Sequence, residues 1–389
     1  MMLRISLLIA FFISSHLAQA QSDSLKLVLK NQLALMQFDK ALISLEEIYK
    51  QGKDEEYYLL NTASCFENLG QTKKAAELYE KLIALNDSHT IAKSKLAQLY
   101  KNKGLYRASL ELYQNLIESD RSNSYYHKQR AYLALQLGNI QQGLFSYQDA
   151  ITYNPEDIEA IFGLAKIYLE IRYYPATDSL VELALKLDPD HIPLRILAAN
   201  SAYRQEKYAT MKEHIEANFR ISKDSSAYQL KLLGIANYHL GNYSQSIHCL
   251  KRMEIKEEPT ELIYNSMGLA YFENGNHQES EASFSKALKL AISNKTGAYY
   301  SYLGLNQHIL KEYNRAVESF KKSYEYKEDP LMFYYIARSY DENFADKKPA
   351  QKYYERFLAE SPEKDSPFTT YSEERLSQFK TIEHFKEPK

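Results

Sequence analysis

Apolar residues in the stretch 261–289 follow the spacing of a helix, a turn and a second helix. In the first half they fall at i, i+3, i+4 and i+7, the spacing of one helical face: Tyr264, Met267, Gly268 and Tyr271. Gly275 predicts the turn, and Ser280 and Phe284 predict the inner face of a returning helix. The stretch is therefore predicted to be a helical hairpin with one apolar side that it cannot bury alone.

The same pattern recurs along most of the chain. Gly70, Gly104 and Gly138 follow one another at a constant interval of 34 positions. Recurrence of an incomplete unit predicts that neighbouring hairpins stack and cover one another. The pattern is imperfect in two places, since Arg172 stands where the fifth copy should have its turn glycine, and the sixth copy, residues 192–224, departs most from the others. That copy is interpreted as ordinary variation within the array, with a kink or a partner site as the alternative.

The composition agrees with an all-helical protein. Of 389 residues, 45% are hydrophobic and only 22 are glycine or proline, and few runs alternate polar and apolar positions. Tryptophan is absent whereas tyrosine occurs 34 times. The excess of tyrosine suits helix seams that are half buried, where a large ring with one polar tip can pack.

The repeated positions resemble the tetratricopeptide repeat. The third copy shows them well: Leu96, Ala97, Tyr100, Gly104, Tyr106, Ser109, Tyr113 and Leu116. The seventh copy carries Leu233, Gly234, Gly241, Tyr243, Ser246 and Leu250. The resemblance implies an all-α, right-handed α-solenoid of about ten helix-turn-helix repeats over residues 22–364.

Residues 365–389 are expected to hold a C-terminal capping helix and tail. Thr370 to Glu373 match a capping box, and a helix over 366–386 would place four apolar residues along one side: Leu376, Phe379, Ile382 and Phe385. Repeat arrays end in an atypical helix that covers the last exposed seam. A free helix that binds a partner is the alternative.

Residues 1–20 are predicted to be a secretory signal peptide. Arg4 precedes an apolar run from Ile5 to Ile13, and Ala18 and Ala20 occupy the two positions that a signal peptidase reads. Without Arg4, the 48 basic residues become 47 against 50 acidic ones, a net charge of −3. This balance does not point to nucleic acid. No later run is long and apolar enough to cross a bilayer, so the chain is expected to be exported, soluble in the periplasm or extracellular.

The chain has two cysteines, Cys65 and Cys249. They would lie five hairpins apart, on the order of 50 Å at helix-packing distances, which is too far for a disulfide. Both are expected to be small, buried apolar residues.

Sequence motifs for catalysis and for metal or cofactor binding are absent. The chain contains no His-Glu-x-x-His, no Gly-x-Ser-x-Gly, no phosphate-binding glycine loop and no calcium loop. Adjacent acids such as Glu257 and Glu258 fall in loops or at helix starts, where they favour the helix dipole. The chain is expected to be non-enzymatic, with no cofactor and no metal.

The resemblance implies a concave groove lined by the first helix of each hairpin. Transferred by register, the groove positions are Lys128, Tyr132, Phe162, Lys166, Asn200, Tyr203, Arg204, Tyr228, Lys231, Tyr238, Asn265 and Phe272. Cations, rings and amides together suit an extended peptide or an acidic segment, although ordinary exposed side chains would show the same pattern. The family's carboxylate clamp pairs Lys with Asn four residues later, whereas Lys231 here meets Ile235, so that device is not expected.

The sequence thus favours an interaction scaffold of the cell envelope that binds a protein or peptide partner in its groove. One alternative is a structural subunit of an envelope or outer-membrane assembly, which would use its convex face and terminal hairpins. Exposed apolar residues on the second helices would favour it. Another alternative is a cell-wall or carbohydrate binder, because tyrosine-lined grooves can stack sugars.

Overall fold

The structure is a computed structural model that describes residues 24–52, 54–222, 226–257, 260–291, 295–343, 345–363 and 365–384. The predicted signal peptide lies outside these residues. The described residues form helices joined by short turns and loops, and none of them is in a β-strand. None of the helices described is long and apolar enough to cross a membrane.

The helices follow one another in the order α1 (24–34), α2 (Phe38–Gly52), α3 (Glu55–Asn68), α4 (Thr72–Leu85), α5 (Thr90–Asn102), α6 (Tyr106–Ser119), α7 (Ser124–Gln136), α8 (Ile140–Tyr153), α9 (Ile158–Glu170), α10 (Tyr174–Leu187), α11 (Ile192–Arg204), α12 (Tyr208–Ile221), α13 (Ala227–His239), α14 (Tyr243–Lys256), α15 (Glu261–Glu273), α16 (His277–Leu290), α17 (Thr296–Ile309), α18 (Tyr313–Tyr326), α19 (Leu331–Asn343), α20 (Lys348–Glu360) and α21 (Pro367–His384). Successive pairs form hairpins 1 to 10, so that each odd-numbered helix is the A helix and each even-numbered helix the B helix of its hairpin. α21 follows hairpin 10.

The chain divides into two compact units, Met1–Leu187 and Asp188–Lys389. Unit 1 contains hairpins 1 to 5, and unit 2 contains hairpins 6 to 10 with α21. Within each unit every helix packs on the next one in sequence. In unit 2 the A helices also touch one another, α11 on α13, α13 on α15 and α17 on α19. The all-helical array of stacked hairpins predicted from the sequence is confirmed.

Small residues set the distance between the two helices of a hairpin. In hairpin 8, a Cβ atom added to Gly268 would lie 2.9 Å from the ring of Phe284, and that ring is fully buried. Opposite it, the Ser280 hydroxyl donates to the Gly268 carbonyl at 2.8 Å. The same bond recurs from Ser246 to the carbonyl of Gly234 at 2.8 Å and from Ser109 to that of Ala97 at 2.7 Å. The B-helix serine therefore satisfies its own hydroxyl while allowing close packing.

The A–B turns of hairpins 1 to 9 share one backbone conformation. Five of them have glycine with φ between 74° and 79°: Gly70, Gly104, Gly138, Gly241 and Gly275. Four others hold a side chain in the same left-handed region, with φ between 54° and 63°: Met36, Arg172, Glu206 and Lys311. The turn glycines are thus confirmed, and the non-glycine residues adopt a conformation that L-residues visit at a cost.

Hairpin 6 is as regular as its neighbour in unit 1. Its helices have 13 and 14 residues, the same lengths as those of hairpin 5. Met211 and Asn218, which depart from the family pattern, are both fully buried on α12. These residues belong to the packed interior, in agreement with ordinary variation.

Helix α21 closes hairpin 10 with its apolar side. Phe379 is buried and Leu376 partly buried in the core of this hairpin, whereas the side chain of Ile382 and residue Phe385 lie outside the described residues. Arg375 Nε donates to the buried Asp341 carboxylate of α19 at 2.6 Å. These contacts agree with the predicted cap.

The predicted capping box at Thr370–Glu373 is wrong. The helix starts at Pro367, one turn earlier, so these four residues lie inside it. Its N-terminus is closed instead by Ser366 and Thr369, each of which accepts from the other's backbone N–H, at 2.9 and 3.2 Å. The capping box in the structure has Thr369 where Glu or Gln is usual. For this reason the sequence pattern placed the box one turn too late, at Thr370–Glu373.

Both cysteines are free and buried, as expected. Burial raises the pKa of the Cys65 thiol to about 11, so it remains protonated and packs as an apolar residue.

Candidate functional site

In unit 2 the A helices of hairpins 6, 7 and 8 form a continuous face, because α11 packs on α13 and α13 on α15. This face carries eight of the twelve residues predicted from the sequence: Asn200, Tyr203, Arg204, Tyr228, Lys231, Tyr238, Asn265 and Phe272. We call it the A-helix face. Each of these helices buries one side in the core, with Leu194 on α11, Leu230 on α13 and Ile263 on α15, so the helical period leaves the predicted residues towards the surface.

Aromatic and amide groups of neighbouring hairpins meet on the A-helix face. The Tyr228 hydroxyl on α13 donates to Asn200 Oδ1 on α11 at 2.6 Å. Tyr228 is 44% exposed and Tyr203 43% exposed. The hydrogen bond fixes the Tyr228 side chain while its ring remains open to contact.

Two cations on the A-helix face are available to a ligand. Arg204 is exposed at the end of α11, and Lys231 is partly exposed on α13. Among the side chains that the structure describes, no carboxylate lies at ion-pair distance from either of them. An incoming anion would therefore not have to break an ion pair with any described side chain.

Further along the face, Tyr238 and Phe272 are held by packing. Tyr238 lies 5.8 Å from Tyr243, and Phe272 lies 5.5 Å from Tyr302, as measured between ring centroids. Burial raises the pKa of Tyr238 to about 12, with a further contribution from the Glu273 carboxylate. These two rings, with the partly buried Asn265, form a rigid floor and project less than Tyr203 and Tyr228.

In unit 1 the predicted residues have different surroundings. Lys128 makes ion pairs with Asp157 at 2.9 Å and Glu159 at 2.8 Å. Burial works against the charge of Lys128, but its hydrogen bonds to Glu159 and Asp157 outweigh this effect and raise its pKa. Its cation is already neutralised within the fold and does not offer a free charge to an acidic segment, contrary to the expectation from the sequence.

The other three residues of unit 1 form cation–π pairs. Lys166 Nζ lies 5.7 Å from the ring centroid of Phe162 on the same helix, α9. Tyr132, 41% exposed on α7, has Lys101 Nζ of α5 at 5.7 Å from its ring. Lys101 was missed by the sequence argument, although it occupies the same place in its repeat as Tyr203, Tyr238 and Phe272 in theirs.

The arrangement of side chains on the A-helix face is suited to binding. Among the described residues, no group of three or more His, Cys, Asp or Glu side chains is placed to hold a metal ion. The exposed rings, amides and unpaired cations of the A-helix face can hold a polypeptide by stacking, hydrogen bonding and charge. The fold is that of a helical-repeat protein.

Comparison with known families gives a more specific result. Models of the tetratricopeptide repeat match residues 259–329 and, in a second model, residues 57–88 and 332–364. The matches fall in both units, and the matched segments are similar to the tetratricopeptide repeat. Proteins built from this repeat are generally non-catalytic scaffolds for protein interactions.

Several solved structures are similar to this chain. A tetratricopeptide repeat protein from Parabacteroides merdae has a TM-score of 0.47 and 15% identity, covering 65% of this chain and 99% of that chain. The APC/C hetero-tetramer Cut9–Hcn1 has a TM-score of 0.44 and 14% identity, with coverages of 93% and 98%. YrrB, a TPR protein with an unusual peptide-binding site, has a TM-score of 0.44 and 17% identity, with coverages of 48% and 94%. No curated protein matches the chain.

Proposed function

We propose that this protein is a non-enzymatic scaffold of the cell envelope that binds an extended, acidic segment of a partner protein on the A-helix face. The observation that carries the proposal is the pair of cations without ion-pair partners, Arg204 and Lys231, beside the exposed rings of Tyr203 and Tyr228. Tyrosine supplies large contact area at a small cost in side-chain entropy, because only two torsions are fixed.

The mechanism is passive and depends on preorganisation. The A helices are held by the packed interior, and the Tyr228–Asn200 hydrogen bond orders one of the contacting rings before a ligand arrives. Little conformational entropy of the protein is then lost on binding, so more of the contact energy appears as affinity. Arg204 and Lys231 would raise the rate of encounter with acidic segments and set their orientation.

Export is the second part of the proposal, and it is supported by the apolar run and small residues within positions 1–20. Cell fractionation followed by N-terminal sequencing tests it. We expect the protein in the envelope or medium with Gln21 as its first residue. Recovery in the cytoplasm with Met1 or Met2 at its N-terminus would contradict export and leave the binding proposal intact.

Binding can be tested with an array of extended peptides of equal length that carry acidic, neutral or basic residues. We expect acidic peptides to be retained, and the double variant R204E/K231E to bind them about tenfold more weakly, a loss of about 1.4 kcal/mol. The control is Lys128→Gln in unit 1. There Lys128 is already paired with two acids, so a smaller loss is expected. Equal losses in both variants, or no preference for acidic peptides, would refute the proposed site.

An assembly subunit is a second candidate because apolar side chains are exposed on B helices. Phe145 on α8 is 54% exposed and Ile255 on α14 is 85% exposed. We expect F145S and I255S to release a partner from an envelope assembly that R204E/K231E still binds. If F145S and I255S leave all partners bound, this second role is ruled out.

Sugar binding would give a different result. Tyr203→Ala and Tyr238→Ala would then weaken retention on polysaccharide, and Tyr132→Ala would do the same in unit 1. Peptide binding should depend on Tyr203 and not on Tyr132.

A further inference from the structure

The A–B turns of unit 1 form a surface that the scaffold function does not use. Because each hairpin reverses the chain, the A helices of neighbouring hairpins run in the same direction, and their turns lie along one edge of the stack. In hairpins 3, 4 and 5 these turns are residues 102–107, 136–141 and 170–175. We call these three segments the turn edge.

Large apolar side chains project from the turn edge. They are between 39% and 56% exposed: Leu105, Leu137, Ile140, Ile171 and Tyr173. All three turns contribute, so the exposed apolar side chains do not arise from one turn alone. Clusters of exposed apolar side chains on a folded protein are typical of a surface that binds another protein or a membrane.

Positive charge accompanies these apolar residues. The turn edge contains Lys103, Arg107 and Arg172 against one acid, Glu170. All three cations are exposed, and none of them makes an ion pair with any side chain in the described part of the chain. The edge therefore combines apolar side chains with uncompensated cations.

The turns of hairpins 6 to 9 in unit 2 lack this combination. Residues 204–209, 239–244, 273–278 and 309–314 carry three cations and three acids: Arg204, Lys207, Lys311, Glu206, Glu273 and Glu312. Their exposed large aliphatic residues are Leu240 and Ile309. The apolar and basic character thus belongs to particular turns of unit 1 and is not a general property of the repeat.

We propose that the turn edge docks the protein on an anionic lipid membrane, with its apolar side chains inserted at the headgroup boundary and its cations on the lipid phosphates. Charge complementarity favours a lipid surface as the occupant, because interleaved aliphatic residues, tyrosine and cations match the interfacial zone of a bilayer. The turns project from the ends of helices, so a deformable phase can surround each side chain. Docking through unit 1 uses none of the residues of the A-helix face.

Co-sedimentation with vesicles tests the proposal, using protein purified after export so that its N-terminus is the one it has in the cell. We expect binding to vesicles that contain phosphatidylglycerol, little binding to phosphatidylcholine alone, and a decrease as salt is raised. The triple variant L105Q/I140Q/I171Q should bind about tenfold less. The matched control L240Q/I309Q changes exposed residues of the unit 2 turns and should bind like the parent.

Insertion can be followed directly because the chain contains no tryptophan. Tyr173→Trp places a single reporter on the turn edge, and Leu240→Trp places one on a unit 2 turn. Anionic vesicles should shift the emission of the first to shorter wavelength and leave the second unchanged.

Three results would overturn the proposal. The first is that the parent does not sediment with anionic vesicles, and the second is that both tryptophan reporters respond alike. The third is that the triple variant loses capture of an envelope protein while vesicle binding is unchanged, which would assign the turn edge to a protein partner.

Discussion

Glycine serves two different purposes in this protein, at the contacts between helices and in the turns that join them. At the contacts, a Cβ on Gly268 would lie 2.9 Å from Phe284, and one on Gly304 would lie 2.5 Å from Phe320. In the turns, a Cβ on Gly104 or Gly138 would meet nothing within 4 Å. Glycine is needed at the helix contact because a side chain would not fit there. It is needed in the turn because the backbone has a positive φ.

The requirement for glycine is stricter at the helix contacts than in the turns. Arg172, Glu206 and Lys311 occupy the turn position with φ near 60° and leave their hairpins intact. A buried ring that fills the space beside a glycine has no comparable freedom, because packed interiors leave few voids. A turn can therefore accept a side chain at a modest cost, whereas a helix contact cannot accept one without moving its neighbour.

The largest effect is expected for Gly268→Leu. The new side chain must displace the fully buried Phe284 ring, and overpacking of this kind should lower the free energy of unfolding by about 3 kcal/mol. Thermal and denaturant unfolding measure it. A variant that melts like the parent would show that Gly268 is not at a helix contact.

A smaller loss is expected for Gly304→Ala. One methyl group at 2.5 Å from the Phe320 ring forces a local shift, and the better helix propensity of alanine offsets part of the cost. We expect a net loss of about 1–2 kcal/mol. The control is Ser266→Ala, a partly exposed position on α15, which should change stability little.

Gly138→Ala should cost about 1 kcal/mol. There is room for the methyl group, so the loss comes only from holding alanine at φ 78°. If this variant were as unstable as Gly268→Leu, the loss would come from a steric clash of the methyl group and not from the backbone conformation of the turn.

Arg172→Gly should stabilise the protein, by about 0.5–1 kcal/mol. Glycine relieves the left-handed strain, although it also gains entropy in the unfolded chain. Arg172→Ala serves as the control, because alanine would keep the strain and should bring no comparable gain. A loss of stability in Arg172→Gly would mean that the arginine side chain contributes more than the backbone costs.

Most of the fold could be predicted from the sequence because the turn glycines recur at a fixed spacing within each run of regular repeats. Helical period and turn position are local properties, and Gly70, Gly104 and Gly138 report them directly. The N-terminus of α21 was misplaced by one turn because Ser366 and Thr369 cap each other through a less common pair of side chains.

The candidate site was less predictable because a lysine can form an ion pair with an acid of the neighbouring hairpin and then no longer offers a free charge to a ligand. Lys128 and Lys231 occupy equivalent positions in their repeats, and only the structure shows that Asp157 and Glu159 reach the first of them from α9. Such partners lie about 30 residues away along the chain, about one repeat length. The sequence does contain one indication of this pairing, because Asp157 precedes α9 as its N-cap. The sequence does not show, however, that the Lys128 side chain points towards it.

The central claim is that in hairpins 8 and 9 a glycine of the A helix gives room to a buried ring of the B helix, and a double-mutant cycle between Gly268 and Phe284 tests it most directly. Unfolding free energies are measured for the parent, Gly268→Ala, Phe284→Leu and the double variant. Because leucine leaves space where the ring lay, we predict that Gly268→Ala costs about 1–2 kcal/mol in the parent and close to nothing in the Phe284→Leu background. An equal cost in both backgrounds would contradict the account.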